Sequence, residues 1–294
     1  MFRFDSPDHV VKALEAHRYL PDDKLAAAVY NALLVGMPLL LEGDPGVGKT
    51  SLAKALAAAV GAPGGKPIRL QCYEGITAAQ ALYEWDFRAQ LLALRAARTW
   101  SRPVDLYGDR FLIKRPILRA MTEPNSVLLI DEIDRADDEF EAYLLEALSE
   151  DSISIPELKK PPDMQRPIVV ITSNGTRTLH NALKRRCNYH WIDHPDLERQ
   201  TRILRLAFDE AGITPGQASR IAALLEECRE VADLELRPGT AAAENVAIAL
   251  LRGGGGELTE EFARSAIGLL AKTRGDQERL EAVLRSGKWR EKVE

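Results

Sequence analysis

The sequence predicts an α/β fold in which a doubly wound parallel sheet is followed by an all-helical lid domain. Three observations predict it: a glycine-rich loop between an apolar and an amphipathic run, a later apolar run that ends in two acids, and the loss of strand patterns after Pro195. Before Pro195, strand and helix patterns alternate, which is typical of parallel strands with helices on both faces. Such a sheet binds ligands at the carboxyl ends of its strands.

The glycine-rich loop is Gly43–Thr50, with the sequence Gly-Asp-Pro-Gly-Val-Gly-Lys-Thr. Between a strand and a helix, this pattern is typical of the phosphate-binding loop (P-loop) of P-loop NTPases. Its backbone amides and the N-terminal end of the next helix attract phosphate. We therefore predict an ATP site in which Lys49 reaches the β- and γ-phosphates and Thr50 holds Mg²⁺. The loop residues expected to contact the nucleotide are Gly43, Pro45, Gly46, Val47, Gly48, Lys49, Thr50 and Ser51.

The apolar run Ser126–Ile130 predicts a strand buried on both faces, and it is followed directly by Asp131 and Glu132. Two acids after a strand are, taken alone, more typical of a solvated turn or a helix cap. Their place downstream of a P-loop favours a catalytic interpretation. We expect Asp131 to hold Mg²⁺, directly or through water, and Glu132 to polarise the water that attacks the γ-phosphate.

Two further groups of polar residues follow. The next strand ends in Thr172-Ser-Asn174, and the Asn174 amide is a candidate for orienting the water, although a Ser-Asn pair is also common in turns. Lys184, Arg185 and Arg186 end a short helix, where basic residues interact favourably with the helix dipole. The functional alternative is that Arg186, or else Arg185, enters a neighbouring subunit's nucleotide site as an arginine finger.

The predicted domain boundary is at His194-Pro195, which divides the chain into a core of residues 1–194 and a lid of residues 195–294. The lid carries helical periodicity throughout, and Thr214-Pro215 predicts a capped helix start. Arg237 is the lid's candidate for a contact with the phosphates, and its local sequence fits an ordinary surface arginine equally well. The predicted lid helices are Leu197–Ala211, Pro215–Val231, Thr240–Leu251, Glu260–Lys272 and Gln277–Leu284.

Composition argues against several classes of protein. The 294 residues carry a net charge of -5, which gives no general attraction to nucleic acid or to an anionic membrane. Three widely separated cysteines predict reduced thiols, with neither a disulfide framework nor a zinc site. The charged N-terminus and the short apolar runs predict neither an export signal nor a membrane span. We therefore expect a cytoplasmic protein that does not bind nucleic acid.

Some segments allow only a coarse prediction. Ile76–Thr99 has helical composition, whereas Ser101–Leu118 is mixed and fits an insertion or a hairpin. Ser152–Gln165 predicts a hairpin, and Thr178–Arg186 a short helix before the last strand, Tyr189–Asp193. The tract Gly253–Gly256 predicts a flexible loop between helices.

The P-loop, Asp131-Glu132, Asn174 and Arg186, in this order and with a helical lid after them, resemble the AAA+ ATPases. Five shorter segments narrow the resemblance to the MoxR-type ATPases and, within them, to the CoxD-like branch. The resemblance runs from about Leu20 to Pro195 and more loosely through the lid. The five segments are Arg69–Gly75, Leu82–Asp86, Gln90–Leu92, Ser154–Leu158 and Ala182–Cys187.

The resemblance implies an ATPase ring, usually a hexamer, that remodels a client metalloenzyme, commonly with a von Willebrand factor A domain protein as adaptor. CoxD-like ATPases are associated with maturation of the molybdenum- and copper-containing carbon monoxide dehydrogenase. Gly175, Asn181 and the segment around Arg237 depart from the family's usual pattern. Two other functions remain open: an ATPase that remodels nucleic acid, and a scaffold that binds ATP without hydrolysing it.

Overall fold

The computed structural model describes residues 4–100, 105–149, 155–158, 163–253 and 256–291. The chain forms two compact units that interleave along the sequence. The first unit comprises Met1–Val10, Ala26–Leu41 and Ala53–His190, and the second comprises Val11–Leu25, Glu42–Leu52 and Trp191–Glu294. The second unit therefore contains the P-loop as well as the C-terminal helices. The functional boundary expected at His194-Pro195 stays a prediction.

The predicted parallel sheet is confirmed. It has five strands, in the order β2-β5-β6-β1-β7. A separate pair, β3 and β4, is antiparallel. Apart from β5 and β6, neighbouring strands of the large sheet are not consecutive in sequence, and parallel neighbours need crossover connections. The strands of the described chain are β1 (Leu39–Glu42), β2 (Ile68–Gln71), β3 (Tyr83–Trp85), β4 (Leu112–Lys114), β5 (Val127–Asp131), β6 (Ile168–Ser173) and β7 (Asn188–Trp191).

The strand β5, which lies between β2 and β6, is buried along its whole length, and this explains its continuous apolar sequence. It pairs in parallel with β6, Leu128 lying opposite Val169. On its other side it pairs in parallel with β2, and Gln71 lies opposite Asp131. The register therefore brings the polar carboxyl ends of β2, β5 and β6 to one edge of the sheet.

The helices agree with the predicted periodicity in most places, and the C-terminal region from Leu197 is all-helical in its described part. The predicted cap at Thr214 is confirmed, since its side chain accepts a hydrogen bond from the Gln217 amide at 3.2 Å. The α-helices of the described chain are α1 (Pro7–Glu15), α2 (Asp23–Val35), α3 (Lys49–Ala59), α4 (Ala78–Ala81), α5 (Phe87–Trp100), α6 (Pro116–Thr122), α7 (Asp138–Ser149), α8 (Asn181–Lys184), α9 (Leu197–Phe208), α10 (Pro215–Arg229), α11 (Thr240–Arg252), α12 (Glu260–Ser265), α13 (Ile267–Leu270), α14 (Arg274–Ser286) and α15 (Lys288–Glu291).

The helical composition of Ile76–Thr99 does not correspond to helix throughout. The chain forms the short helix α4, then the strand β3, and only then the helix α5. Asp86 separates the strand from α5, because its carboxylate accepts a hydrogen bond from the Ala89 amide at 2.9 Å and caps the new helix. β3 pairs with β4, so this part of the chain is an insertion between β2 and β5 that carries α5. Residues 101–104 of the predicted insertion lie outside the described residues.

Three other segments also differ from the prediction or lie partly outside the described residues. The helix expected over Thr178–Arg186 is the single turn α8, and the helix expected over Glu260–Lys272 is divided into α12 and α13. The predicted hairpin Ser152–Gln165 lies largely outside the described residues, and its described part, 155–158 and 163–165, contains no strand. Residues 254–255 of the predicted glycine loop are also outside the described chain.

Each unit has its own apolar core. In the first unit, the faces of the sheet pack against buried residues of α6 and α7. In the second unit, α9, α10, α11 and α14 surround Leu225, Val246 and Trp289, which are fully buried. The three cysteines are buried free thiols. No helix of the described residues is both long and apolar enough to cross a membrane.

A buried ion pair joins α7 to the segment after β6. The Glu141 carboxylate is fully buried and accepts hydrogen bonds from the Arg177 guanidinium and, at 2.8 Å, from the His180 amide. Arg177 also donates to the Ala136 carbonyl at 2.7 Å. Removing one partner of such a pair leaves an uncompensated buried charge. The pair therefore fixes the segment that leads from β6 to α8.

We predict that Arg177→Ala lowers the free energy of unfolding by about 3 kcal/mol, because Glu141 then stays buried without its cation. The matched control is Arg119→Ala, which removes an exposed ion pair with Glu123 one turn away in α6. It should cost less than about 0.5 kcal/mol. Urea unfolding of both variants checks this, and equal losses would contradict it.

Candidate functional site

The P-loop backbone requires glycine at several positions. Gly46 and Gly48 have φ angles of 81° and 102°, which side chains rarely allow. Gly43 is also required because the backbone of Ile192 lies close to it: a Cβ atom at this position would be 2.4 Å from the Ile192 carbonyl oxygen. The loop thus adopts the folded backbone that its sequence predicts.

The Lys49 side chain contacts the first residues of this loop. It begins α3 and is only 7% exposed. Its ammonium group donates hydrogen bonds to the carbonyl oxygens of Gly43 at 2.6 Å and Asp44 at 2.9 Å. A buried cation at the N-terminus of a helix, beside a glycine-lined loop, fits a polyphosphate anion. Thr50 is half-buried and Ser51 is exposed on the same first turn.

Within the second unit, the N-terminus of α11 lies directly on the P-loop. Gly239 caps α11, and a Cβ atom there would meet the Pro45 carbonyl oxygen at 2.7 Å and the Gly46 carbonyl at 2.9 Å. Gly239 has an ordinary extended conformation, with a φ of -85°. Close backbone approach, and not a special φ angle, therefore explains glycine at this position.

A buried polar network holds the Gly239 turn in place. The Arg229 guanidinium donates to the Pro238 carbonyl at 2.8 Å and to the Pro195 carbonyl at 3.1 Å. The fully buried Gln200 accepts hydrogen bonds from Arg229 at 3.3 Å and from the Thr240 hydroxyl at 3.1 Å. Burial lowers the pKa of Arg229 to about 10, so it remains charged at neutral pH. The network ties α9, α10 and α11 to the turn that contacts the loop.

Arg237 lines a cavity of about 520 Å³ together with Asp44, Pro45 and Gly46. Its side chain is exposed and forms no hydrogen bond or ion pair with the described residues. Lys272 lies in the wall of the same cavity. The acids Asp44 and Glu235 also line this cavity, so the contact of Arg237 with phosphates stays a prediction.

Two aromatic residues also contact the P-loop. The His194 Nε2 atom lies 3.0 Å from the Asp44 carboxylate. Burial and the nearby Arg229 lower the pKa of His194 despite this carboxylate, so the imidazole is neutral at neutral pH. The Tyr19 ring lies beside Gly48, 3.6 Å from the position of a Cβ atom there. Side chains before β1 and after β7 thus both contact the loop.

In the first unit, Asp131 is fixed from both neighbouring strands. It is 2% exposed, and its carboxylate accepts hydrogen bonds from the Arg69 guanidinium of β2 at 2.8 Å and from the Thr172 hydroxyl of β6 at 2.6 Å. The two contacts reach different oxygens, since the Arg69 guanidinium pairs with Oδ2 and the Thr172 hydroxyl donates to Oδ1. An oriented, buried carboxylate of this kind suits a hard divalent cation.

Glu132 adopts a left-handed backbone conformation, with φ 57° and ψ 52°. For a residue with a side chain, this costs of the order of 1–3 kcal/mol and is frequent at functional sites. The Glu132 amide donates to the Thr172 hydroxyl at 3.0 Å. Its carboxylate accepts from the Gln71 amide and from Arg135, both at 3.0 Å, and its side chain is 33% exposed. The left-handed backbone thus directly follows the end of β5, and the carboxylate is partly exposed.

Asp134 anchors the residues after β6. Its buried carboxylate accepts hydrogen bonds from the backbone amide of Asn174 at 3.2 Å and from the Thr176 hydroxyl at 2.6 Å. Burial by itself would raise the pKa of Asp134, but the hydrogen bonds from Thr176 and Asn174 lower it overall. The backbone of Asn174 is therefore fixed. Its side-chain amide forms no hydrogen bond with the described residues, so it is available to a ligand.

Arg185 and Arg186 are both exposed after α8. Arg186 donates to the Leu145 carbonyl at 3.0 Å, whereas the Arg185 guanidinium forms no contact of this kind with the described residues. Both arginines therefore lie where another molecule can reach them. Their chemistry toward a neighbouring subunit stays a prediction.

The sequence analysis missed several residues that shape the site. Arg69 and Gln71 contact the two acids, but their only signal was a place in a family-like segment. Gly239 and Arg229 showed no signal, because a close approach between distant segments leaves no local pattern. For Asp134, its position three residues after Asp131 was the available hint.

Comparison with known proteins identifies one family. The family described as AAA domain (dynein-related subfamily) matches residues 38–187, which is just over half of the chain. The matched region begins before β1 and ends after α8, so it covers the P-loop, both acids and Asn174. The chain matches no curated protein.

We predict that Gly239→Ala lowers the free energy of unfolding by about 1–3 kcal/mol, because the added methyl group meets P-loop backbone that cannot rotate away. The matched control is Gly216→Ala in the first turn of α10, where a Cβ atom meets nothing within 4 Å. This control should be neutral or stabilising by up to about 1 kcal/mol. Denaturant unfolding distinguishes the two, and similar results for both would contradict the close contact.

Proposed function

Because the chain belongs to the AAA domain family, in its dynein-related subfamily, we propose that it hydrolyses ATP and uses the energy to remodel a partner protein. Proteins of this family are in general nucleotide-hydrolysing ATPases that assemble into rings. The observation that carries the proposal is the pair of oriented acids, Asp131 and Glu132, held by the Thr172 hydroxyl. A protein that only binds nucleotide has no need for a strained, solvent-facing glutamate.

Each site residue has a proposed role. The P-loop amides and Lys49 bind the phosphates, and Arg237 adds positive charge beside the loop. Glu132 accepts a proton from the attacking water, and the unpaired Asn174 amide orients that water. The remaining contacts with nucleotide come from Gly43, Pro45, Gly46, Val47, Gly48 and Ser51.

Thr50 and Asp131 would hold Mg²⁺, which neutralises charge on the phosphate oxygens when it is bound. Both offer oxygen donors, the ligand type that this ion prefers. Arg69 keeps the Asp131 carboxylate in one orientation. The hydrogen bond from Thr172 has the same effect from the opposite strand.

We further propose that the chain is of the MoxR type and closest to the CoxD-like branch. Its client would then be a metalloenzyme, with maturation of the molybdenum and copper centre of carbon monoxide dehydrogenase as the specific hypothesis. A von Willebrand factor A domain protein would be the adaptor. Support comes from the five family-like segments of the sequence.

Two other functions are distinguishable from this one. Remodelling of nucleic acid requires basic contact surfaces, and the net charge of -5 opposes it. A scaffold that binds ATP without hydrolysis needs no oriented water, and the geometry at Glu132 opposes that. A salt-dependent affinity for DNA would favour the former, and negligible turnover by the assembled protein with its adaptor would favour the latter.

We predict that Glu132→Gln lowers kcat for ATP hydrolysis by about 10²–10⁴ while the affinity for ATP is retained, because only the proton acceptor is removed. Phosphate release and nucleotide binding are measured in parallel. Glu123→Gln, at the end of α6, is the matched control and should leave both unchanged. Normal turnover by the Glu132 variant would show that its assigned role is wrong.

We also predict that the ATPase rate per subunit rises with protein concentration as a ring assembles, which in its family is usually a hexamer. Arg186→Ala, or else Arg185→Ala, should lower the rate of the assembled protein by about 10³–10⁵, because an arginine finger stabilises charge in the transition state. Molecular mass is followed in parallel to show that the variants still assemble. A rate independent of concentration, or wild-type rates for both variants, would contradict a shared active site.

A further inference from the structure

The helix α5 packs on the first unit with its small residues and turns its large apolar residues outward. Ala89 and Ala93 contact the core, and the buried Gln90 donates its side-chain amide to the Leu106 carbonyl at 2.7 Å. By contrast, Phe87 is 67% exposed and Leu91 is 55% exposed. An amphipathic helix that only serves its own core has the opposite arrangement.

The outward residues form a continuous surface. Phe87, Leu91 and Leu94 are spaced i, i+4 and i+7, which places them on one face of α5. We call these three residues the α5 stripe. Leu92, which is 65% exposed, lies beside it. Single exposed apolar residues are ordinary, but a contiguous group marks an interaction surface.

The charge around the α5 stripe is positive. Arg88 and Arg95 are exposed beside it, and the sequence of α5 contains no acidic residue, although the whole chain carries a net charge of -5. Asp86 caps α5, and Glu84 pairs with Arg115. The surface thus combines apolar side chains with two arginines that form no ion pair with a described residue.

We propose that the α5 stripe is the docking surface for an acidic amphipathic segment of another protein. The apolar side chains of that segment would cover the stripe, and its carboxylates would pair with Arg88 and Arg95. Charge complementarity selects this occupant. Two copies of α5 packed against each other would bring their own arginines together, and an anionic membrane would repel the acidic remainder of the chain.

This surface uses no residue of the proposed nucleotide site. Its occupant is defined by the chemistry of α5 alone, whatever reaction the P-loop supports. Binding at α5 and ATP turnover can therefore be measured independently. A failure of one leaves the other intact, which separates this inference from the proposed function.

The test uses the full chain and two fluorescein-labelled synthetic helical peptides. Both carry leucines at i, i+4 and i+7; one has glutamate at the flanking positions and the other has lysine. Fluorescence anisotropy should show that the glutamate peptide binds at least about tenfold more tightly. The variant Phe87→Ser/Leu91→Ser/Leu94→Ser should lose at least about tenfold in affinity, and Arg88→Glu/Arg95→Glu should reverse the preference between the peptides.

The matched control is Leu34→Ser/Val35→Ser, which removes two residues that are each 66% exposed at the end of α2. It should leave peptide affinity unchanged, and all variants should unfold at the wild-type temperature because the substituted side chains are exposed. If the stripe variant unfolds early, the charge-reversal variant, which keeps the stripe, decides the outcome. Equal binding of both peptides, or binding that survives the stripe substitutions, would overturn the proposal. So would stripe-dependent self-association, or stripe-dependent sedimentation with phosphatidylserine vesicles without peptide binding.

Discussion

Parallel pairing of β5 with β2 and β6 is the constraint on which the candidate site depends. Because parallel strands end at the same edge, the last residues of three strands that are distant in sequence become neighbours. One hydroxyl then connects them: Thr172 of β6 donates to the Asp131 carboxylate and accepts from the Glu132 amide. A shift of one residue in the register would turn Thr172 to the other face and remove both contacts.

The two acids are held in different ways, which suits different roles. Asp131 is the buried last residue of β5, and hydrogen bonds from Arg69 and Thr172 fix its carboxylate. Glu132 is partly exposed and adopts a left-handed backbone that the surrounding hydrogen bonds stabilise. Strain of this size persists only where neighbouring contacts compensate for it. A buried, fixed carboxylate and a partly exposed one can therefore lie next to each other in sequence.

The second unit shows how a phosphate-binding loop can be joined to a helical domain. The contact at Gly239 is between backbones, and the Arg229 and Gln200 network supports it from behind. Buried networks of this kind resist small displacements, because moving one member leaves others unsatisfied. A displacement of the P-loop backbone would thus directly displace the N-terminus of α11. In proteins that couple hydrolysis to domain movement, such a contact would carry the motion.

Sequence patterns determined the elements that rest on local chemistry. The P-loop glycines, the buried strand before the acids, the capped start of α10 and the all-helical C-terminal region all follow from short segments whose residue types allow little else. The same reasoning failed over Ile76–Thr99, because a composition that favours helix does not reveal the pairing of β3 with β4, a contact between residues about thirty positions apart.

The tertiary structure alone decided which distant residues meet. Arg69 and Gln71 reach the acids through strand register, and Gly239 reaches the P-loop through packing. The sequence by itself determined the chemistry available to this protein: a glycine-rich loop, two adjacent acids and a run of basic residues. Which side chains orient that chemistry, and the outward face of α5, depended on long-range contacts, since burial is a property of the folded chain and not of any one segment.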